Sequence, residues 1–234
     1  MTAALTNNAK IKVVDKAFPS VFGESAPFKI TGGLSLQSPS GAATTWTAGT
    51  SNTIGWTFTG LLSSVNVYYD LDSADGDQWT PILPVSSISQ SGTSGSPTAS
   101  WNLPTTVTNR ARIKIEAPNA DPDLVVSAIG ADFKIGAQFN ITSPENGAPV
   151  DAESTTTNIT WNTLKGTGIN KVKLYYSNNS EAGSPSWIEI TPAGGVVNTG
   201  TYPWNPIPRD LASLTSTTHR VKITQFDPPN ESQV

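Results

Sequence analysis

The stretch Val65-Asn-Val67-Tyr68-Tyr69 returns about 105 residues later as Val172-Lys-Leu174-Tyr175-Tyr176. In both copies the apolar residues fall on alternate positions, which is the period of a strand with one buried face. The same offset, in the same order, relates several further pairs of segments. Leu34–Pro39 matches Phe139–Pro144, and Ile54-Gly-Trp56 matches Ile159-Thr-Trp161. Trp79 matches Trp187, Ser100-Trp101-Asn102 matches Pro203-Trp204-Asn205, and Arg112-Ile-Lys-Ile115 matches Arg220-Val-Lys-Ile223. Small changes of offset fall in Ser/Gly-rich stretches, where insertions into loops cost little. The chain is therefore an internal repeat.

A partial third copy lies at the N-terminus. Lys10-Ile11-Lys12-Val13 matches Arg112–Ile115, and Phe28-Lys29-Ile30 matches Phe133-Lys134-Ile135. After Val221-Lys-Ile223 the chain runs on to Val234 without a counterpart of Phe133–Ile135. This divides the chain into residues 1–33, the last strands of a preceding repeat; 34–137, a complete repeat; and 138–234, a repeat lacking its last strand.

A repeat of about 100 residues made of short alternating strands has the size of an immunoglobulin-like sandwich. A continuous β-solenoid would need coils of roughly 20–45 residues. The expected fold class is all-β: tandem immunoglobulin-like or fibronectin III-like β-sandwiches, with partial domains at the chain ends. Ile54, Trp56 and Phe58 form one inward set, and Ile113 with Ile115, or Val221 with Ile223, another. The recurring tryptophans read as shared core packing.

Composition removes several functions. The 234 residues include no cysteine, so disulfides, thiolate metal sites and cysteine nucleophiles are absent. A net charge of −4 with 14% charged residues gives no basic nucleic-acid footprint. No apolar run reaches the roughly 18–20 residues that span a bilayer. Met1–Asn8 has no apolar core and does not read as a signal peptide. The chain thus reads as an internal fragment or as a subunit beginning mid-domain.

Candidate chemistry is sparse. The one histidine, His219, precedes a strand where the first repeat has Ala111, and it reads as a surface residue rather than a catalytic base. Asp70, Asp72, Asp75 and Asp77 are candidate calcium ligands by their oxygen-rich spacing. They lack the closing Glu of an EF-hand, and Asp-Gly between two strands favours a hairpin turn. Trp46 has no counterpart, Asp151 holding its place, which makes it the candidate ligand-stacking residue. Asn140, Asn158, Asn178 and Asn230 open Asn-x-Ser/Thr triplets, which matter only in a secreted eukaryotic protein. No cofactor and no catalytic residue is expected.

The combined pattern is Ser-Pro, Ile-x-Trp, Val-x-Val/Leu-Tyr-Tyr, Trp, Trp-Asn and Arg-Ile/Val-Lys-Ile. It resembles the immunoglobulin-like repeats found in tandem in prokaryotic cell-surface proteins, and is similar to the KNH-type domain of fungal cell-wall proteins. The resemblance implies secretion and a role in cell walls, adhesion or stalks, without catalysis. The expected function is a structural repeat of a cell-surface or extracellular filament or stalk protein. The alternative is an adhesin or carbohydrate-binding module of a secreted protein, in which Trp46 and the loop Ser86–Ser100 would bind.

The two ends suggest how such modules join. A sandwich without its last strand exposes an edge that another chain can complete. Phe28 and Ile30, with Ile11 and Val13 on the neighbouring strand, are the candidate assembly residues. Expected partners are neighbouring repeats or identical chains head-to-tail, with cell-wall polysaccharide or a surface protein under the adhesive reading. Neither nucleic acid nor membrane insertion is expected.

Overall fold

The computed structural model describes residues 4–82, 87–90, 92–145, 148, 150, 157–178, 184–207 and 219–226. Apart from one short 3-10 turn at Pro122–Leu124, the regular structure is β-strand. The chain forms two compact units. The first holds Met1–Thr45, Ser51–Asn102 and Thr108–Lys134, and the second Trp46–Thr50, Leu103–Val107 and Ile135–Val234.

The first unit begins with four short strands: β1 (Thr6–Ala9), β2 (Lys12–Val14), β3 (Phe22–Glu24) and β4 (Phe28–Ile30). β1 pairs with β4 and β2 with β3, both antiparallel, so the segment doubles back as a narrow ribbon. Its foot is tied down by Asn7, whose amide donates to Asp121 Oδ2 at 2.6 Å.

The first sandwich follows the ribbon. β5 (Gly33–Ser38), β6 (Thr45–Thr47), β7 (Ser51–Thr59), β8 (Ser64–Asp70), β9 (Thr80–Pro81), β10 (Ser87–Ser89) and β11 (Ser94–Gly95) come first. β12 (Thr98–Asn102), β13 (Thr108–Ala117), β14 (Val126–Ile129) and β15 (Phe133–Gly136) complete it. One sheet has β7 at its centre, flanked by β5 on one edge and by β11 and β12 on the other. The other runs from β9 and β10 through β8 and β13 to β14, β15 and β6. The chain passes back and forth between the two sheets, as in an immunoglobulin-like or fibronectin III-like sandwich.

The alternating residues fill the space between the sheets. Ile54, Trp56 and Phe58 of β7, Val65 and Val67 of β8, Ile113 and Ile115 of β13, and Phe133 and Ile135 of β15 are all buried. Each such side chain contributes roughly 1.5–3 kcal/mol when fully buried. This core does the work that a disulfide does in many domains of this size.

The second unit repeats the plan with β16 (Gln138–Ser143), β17 (Asn158–Lys165), β18 (Lys171–Ser177), β19 (Ile188–Glu189), β20 (Val196–Val197), β21 (Thr201–Pro203) and β22 (Arg220–Gln225). β16, β17 and β21 form one sheet; β18, flanked by β22 on one edge and by β19 and β20 on the other, forms the second. Ile159, Trp161, Val172, Leu174, Tyr176, Trp204 and Ile207 make its core. Even the turn leaving the second strand is shared. Gly60 and Gly166 both take positive φ, +87° and +102°, and a Cβ on Gly60 would sit 2.8 Å from the Gly32 Cα.

One assignment is corrected. Of the six recurring tryptophans, Trp56, Trp101, Trp161 and Trp204 are buried, but Trp79 and Trp187 are only half-buried and lie on the outer sheet faces under lysines. They come just before the short strands β9 and β19, where no alternation fixes the side of a residue.

Truncating Phe133 to Ala is expected to cost the first unit roughly 3–5 kcal/mol in urea unfolding. The same change at its repeat counterpart Phe28, 40% exposed, is expected to cost under about 1 kcal/mol. Equal losses would mean that the ribbon is packed as tightly as the sandwich.

Candidate functional site

The acidic loop after β8 is organised by arginines. Asp70 ends β8 opposite Arg112 of β13 and is 2% exposed. Arg112 donates to Asp70 Oδ2 from Nε at 3.2 Å and Nη2 at 2.9 Å, and from Nη2 to Asp77 Oδ1 at 2.8 Å. The hydrogen bond to Asp70, then the charges of Asp70, Asp77 and Asp132, hold Arg112 above its ordinary pKa against the opposing effect of burial. Asp72 Oδ1 faces Arg110 Nη1 at 3.6 Å and accepts from the Ala74 N–H at 3.0 Å. Asp75 is exposed and donates its N–H to the Asp72 carbonyl at 3.2 Å. Three of the four carboxylates thus face guanidinium groups. Among the described residues no three His, Cys, Asp or Glu side chains converge as a metal site.

Beside this clamp each unit carries a lysine against aromatic rings. In the first, Lys114 Nζ lies 4.7 Å from the Tyr68 ring and 5.3 Å from Trp79. In the second, Lys222 lies 4.6 Å from both Tyr175 and Trp187. In the ribbon, Lys12 stands 3.6 Å over Phe22. Lys12, Lys114 and Lys222 are repeat equivalents. A sugar ring would need the aromatic faces that these ammonium groups occupy. The sequence signal was the outward Lys of each Arg-x-Lys-Ile run; what it could not give was which tryptophan lay above it.

Trp46 is half-buried on β6, and His219 is half-buried immediately before β22. Asn140 and Asn158 are exposed on β16 and β17, and Asn178 is exposed just after β18. Asp151 and Asn230 lie outside the described residues, as do Ser86 and Ser91 of the Ser/Gly-rich loop.

The ribbon is the least covered part of the first unit. Ile11 is 59%, Val13 70% and Phe28 40% exposed, and Val14, Phe18, Val21 and Phe22 are exposed as well. Ile30 is half-buried. The repeat counterparts of the four assembly residues are Ile113, Ile115, Phe133 and Ile135, all at 0%. The ribbon also copies the hairpin that those counterparts build. Lys12 faces Glu24, Val13 faces Gly23 and Val14 faces Phe22. In the sandwich Lys114 faces Ile129, Ile115 faces Ala128 and Glu116 faces Ser127. The ribbon thus has the register of the β13–β14 hairpin, with Ile11, Val13 and Phe28 exposed where their counterparts are buried.

The second unit shows the converse. β22 pairs with β18 in the register that β13 uses on β8: Arg220 faces Ser177 where Arg112 faces Asp70, and Ile223 faces Leu174 where Ile115 faces Val67. On its other edge β13 carries β14 and β15, whereas β22 carries no strand among the described residues. Val221 and Ile223 are only partly buried, in contrast to Ile113 and Ile115.

No family model matches the chain, and no curated protein matches it. Among solved structures it is similar to Clostridium thermocellum CbhA fibronectin(III)-like modules. The identity is 16%, the match covers 74% of this chain and 79% of that one, and the TM-score is 0.24. The sandwich assignment itself rests on strand order and register.

Replacing Arg112 by Met leaves the Asp70 carboxylate buried and unpaired, and is expected to destabilise the first unit by roughly 3–5 kcal/mol in urea unfolding. Adding Asp70→Asn to that variant recovers part of the loss, the signature of a coupled pair in a double-mutant cycle. Additive losses would show that the clamp is not coupled.

Proposed function

We propose that this chain is a non-enzymatic structural repeat module of a cell-surface or extracellular filament or stalk protein, joined head-to-tail by β-strand complementation. The division into an end-hairpin (1–33), a complete sandwich (34–137) and a sandwich awaiting its last strand (138–234) belongs to this reading. One observation carries it. The ribbon has the register and core residues of a closing hairpin, and β22 has the register of a strand that such a hairpin closes.

Physical argument supports the exchange. An isolated two-stranded ribbon is marginally stable in water, so releasing it is cheap. Moving Phe28 and Ile30 from their present exposure to that of Phe133 and Ile135 contributes up to about 1.5–3 kcal/mol each, before the cost of association. A head-to-tail contact does not have to close on itself, so an open polymer follows.

An extracellular setting fits a Thr-, Ser- and Gly-rich sandwich whose described residues include no helix long and apolar enough to cross a membrane. The resemblance to tandem surface repeats points the same way. The carbohydrate-binding alternative draws less support, because lysines cover the outward rings of Tyr68, Trp79, Tyr175 and Trp187.

Light scattering of the purified chain over a range of concentrations tests the reading. Mass is expected to grow with concentration in the whole chain and to stay monomeric when residues 1–31 are deleted. Phe28→Asp is expected to have the same effect while leaving urea unfolding of the sandwich unchanged. A monomer at every concentration of the intact chain overturns head-to-tail joining.

A further inference from the structure

We propose that the strand segment β3–β4 of one copy completes the second unit of another copy by pairing with β22, in the single register that sets Glu24 opposite Lys222. The inference rests on the head-to-tail reading and gives it a partner, a donor strand and a residue pair.

The register follows from repetition within the chain. Lys114 of β13 faces Ile129 of β14. Lys222 is the equivalent of Lys114, because β22 and β13 hold the same register on β18 and β8. Glu24 is the equivalent of Ile129, because the ribbon sets Lys12 opposite Glu24 as the sandwich sets Lys114 opposite Ile129. Pairing β3 with β22 by the same rule puts Glu24 against Lys222, Gly23 against Ile223 and Phe22 against Thr224. Directly opposed residues of antiparallel strands share a face, so the Glu24 carboxylate would lie beside the Lys222 ammonium.

Chemistry favours this register over its neighbours. A slip of one residue would turn Phe28 and Ile30 away from the core face. A slip of two keeps the faces but sets Glu24 against Arg220 or Thr224, and moves Phe28 and Ile30 off the positions that Phe133 and Ile135 occupy. Lys222 also lacks any ion pair within 4.0 Å among the described residues, whereas Lys114 has Glu116 at 3.4 Å and Lys173 has Glu189 at 3.3 Å. Burial between Tyr175 and Trp187 pushes the Lys222 ammonium below the usual lysine range, and a carboxylate alongside would offset that. Glu24 is now held by Lys12 at 3.7 Å and Lys10 at 4.0 Å, all three side chains about half exposed, contacts easily given up.

The exchange selects one strand. β2, with Lys10 and Ile11 before it, duplicates β22, which the second unit already has, so it is displaced from β3. The donor keeps its link to its own first unit, because residue 30 leads directly into β5. Each copy therefore gives its β3–β4 segment and takes the same segment from another.

The chain contains no cysteine, so engineered pairs read the register directly. A Glu24→Cys chain is mixed with a Lys222→Cys chain under mild oxidation, and disulfide-linked species are identified by mass. The 24–222 heterodimer is expected, with at least about tenfold less product when Arg220→Cys or Thr224→Cys replaces Lys222→Cys. In parallel, Glu24→Lys and Lys222→Glu chains should each associate about tenfold more weakly alone, and regain association when mixed. A purely structural defect in either chain would not be rescued by the other. Polymers that cross-link at 220 or 224, or not at all, overturn the register and leave head-to-tail joining standing. Intact chains that remain monomeric overturn both.

Discussion

A β-strand can hide one face in a core only if its edges are also paired, because each unpaired N–H and C=O must otherwise find water or another chain. In the first unit β13 meets that constraint on both sides, with β8 along one edge and β14 and β15 along the other. Its Ile113 and Ile115 are fully buried as a result. In the second unit β22 meets it on one side only among the described residues, and Val221 and Ile223 stay partly covered. The ribbon has the opposite fault, since its strands are paired with each other while Ile11, Val13 and Phe28 stay exposed. Most of what is distinctive about the molecule follows from this unequal sharing of one strand's worth of pairing.

The outer faces obey a different economy. On β8 and β13 the wet side holds Asp70, Arg112, Tyr68 and Lys114, and Trp79 lies over the two cations. The long aliphatic stems of Arg and Lys cover aromatic surface while their charges stay near water or near a carboxylate. The second unit keeps the lysine cluster but places Ser177, not a carboxylate, opposite Arg220. The acidic loop after β8 is accordingly a feature of the first unit alone. Three of its four carboxylates, those of Asp70, Asp72 and Asp77, face Arg110 and Arg112.

Much of the fold was legible before any coordinates. Val65-Asn-Val67 and Ile113-Lys-Ile115 alternate, and a strand has only two faces, so their inward residues could be named. The ordered matches gave the repeat. The faces of Trp79 and Trp187 were not legible in the same way. Self-similarity says that two positions are equivalent, not which side they face, and neither tryptophan stands within a run long enough to show a period. The candidate assembly residues were legible as repeats of Phe133, Ile135, Ile113 and Ile115. Glu24 was not, because Ile129, its counterpart, shares no chemistry with it and only the paired register aligns the two.

The sequence by itself determined the all-β class, the inward set of each long strand and the kinship of the N-terminal segment with Arg112–Ile115 and Phe133–Ile135. These are local properties, carried by alternation and by copies within one chain. Tertiary structure alone decided how deeply each copy is buried. Val13 and Ile115 occupy equivalent places in two hairpins of the same register, yet one is 70% exposed and the other 0%. Burial is set by what lies across the sheet, and that comes from strands distant in the chain.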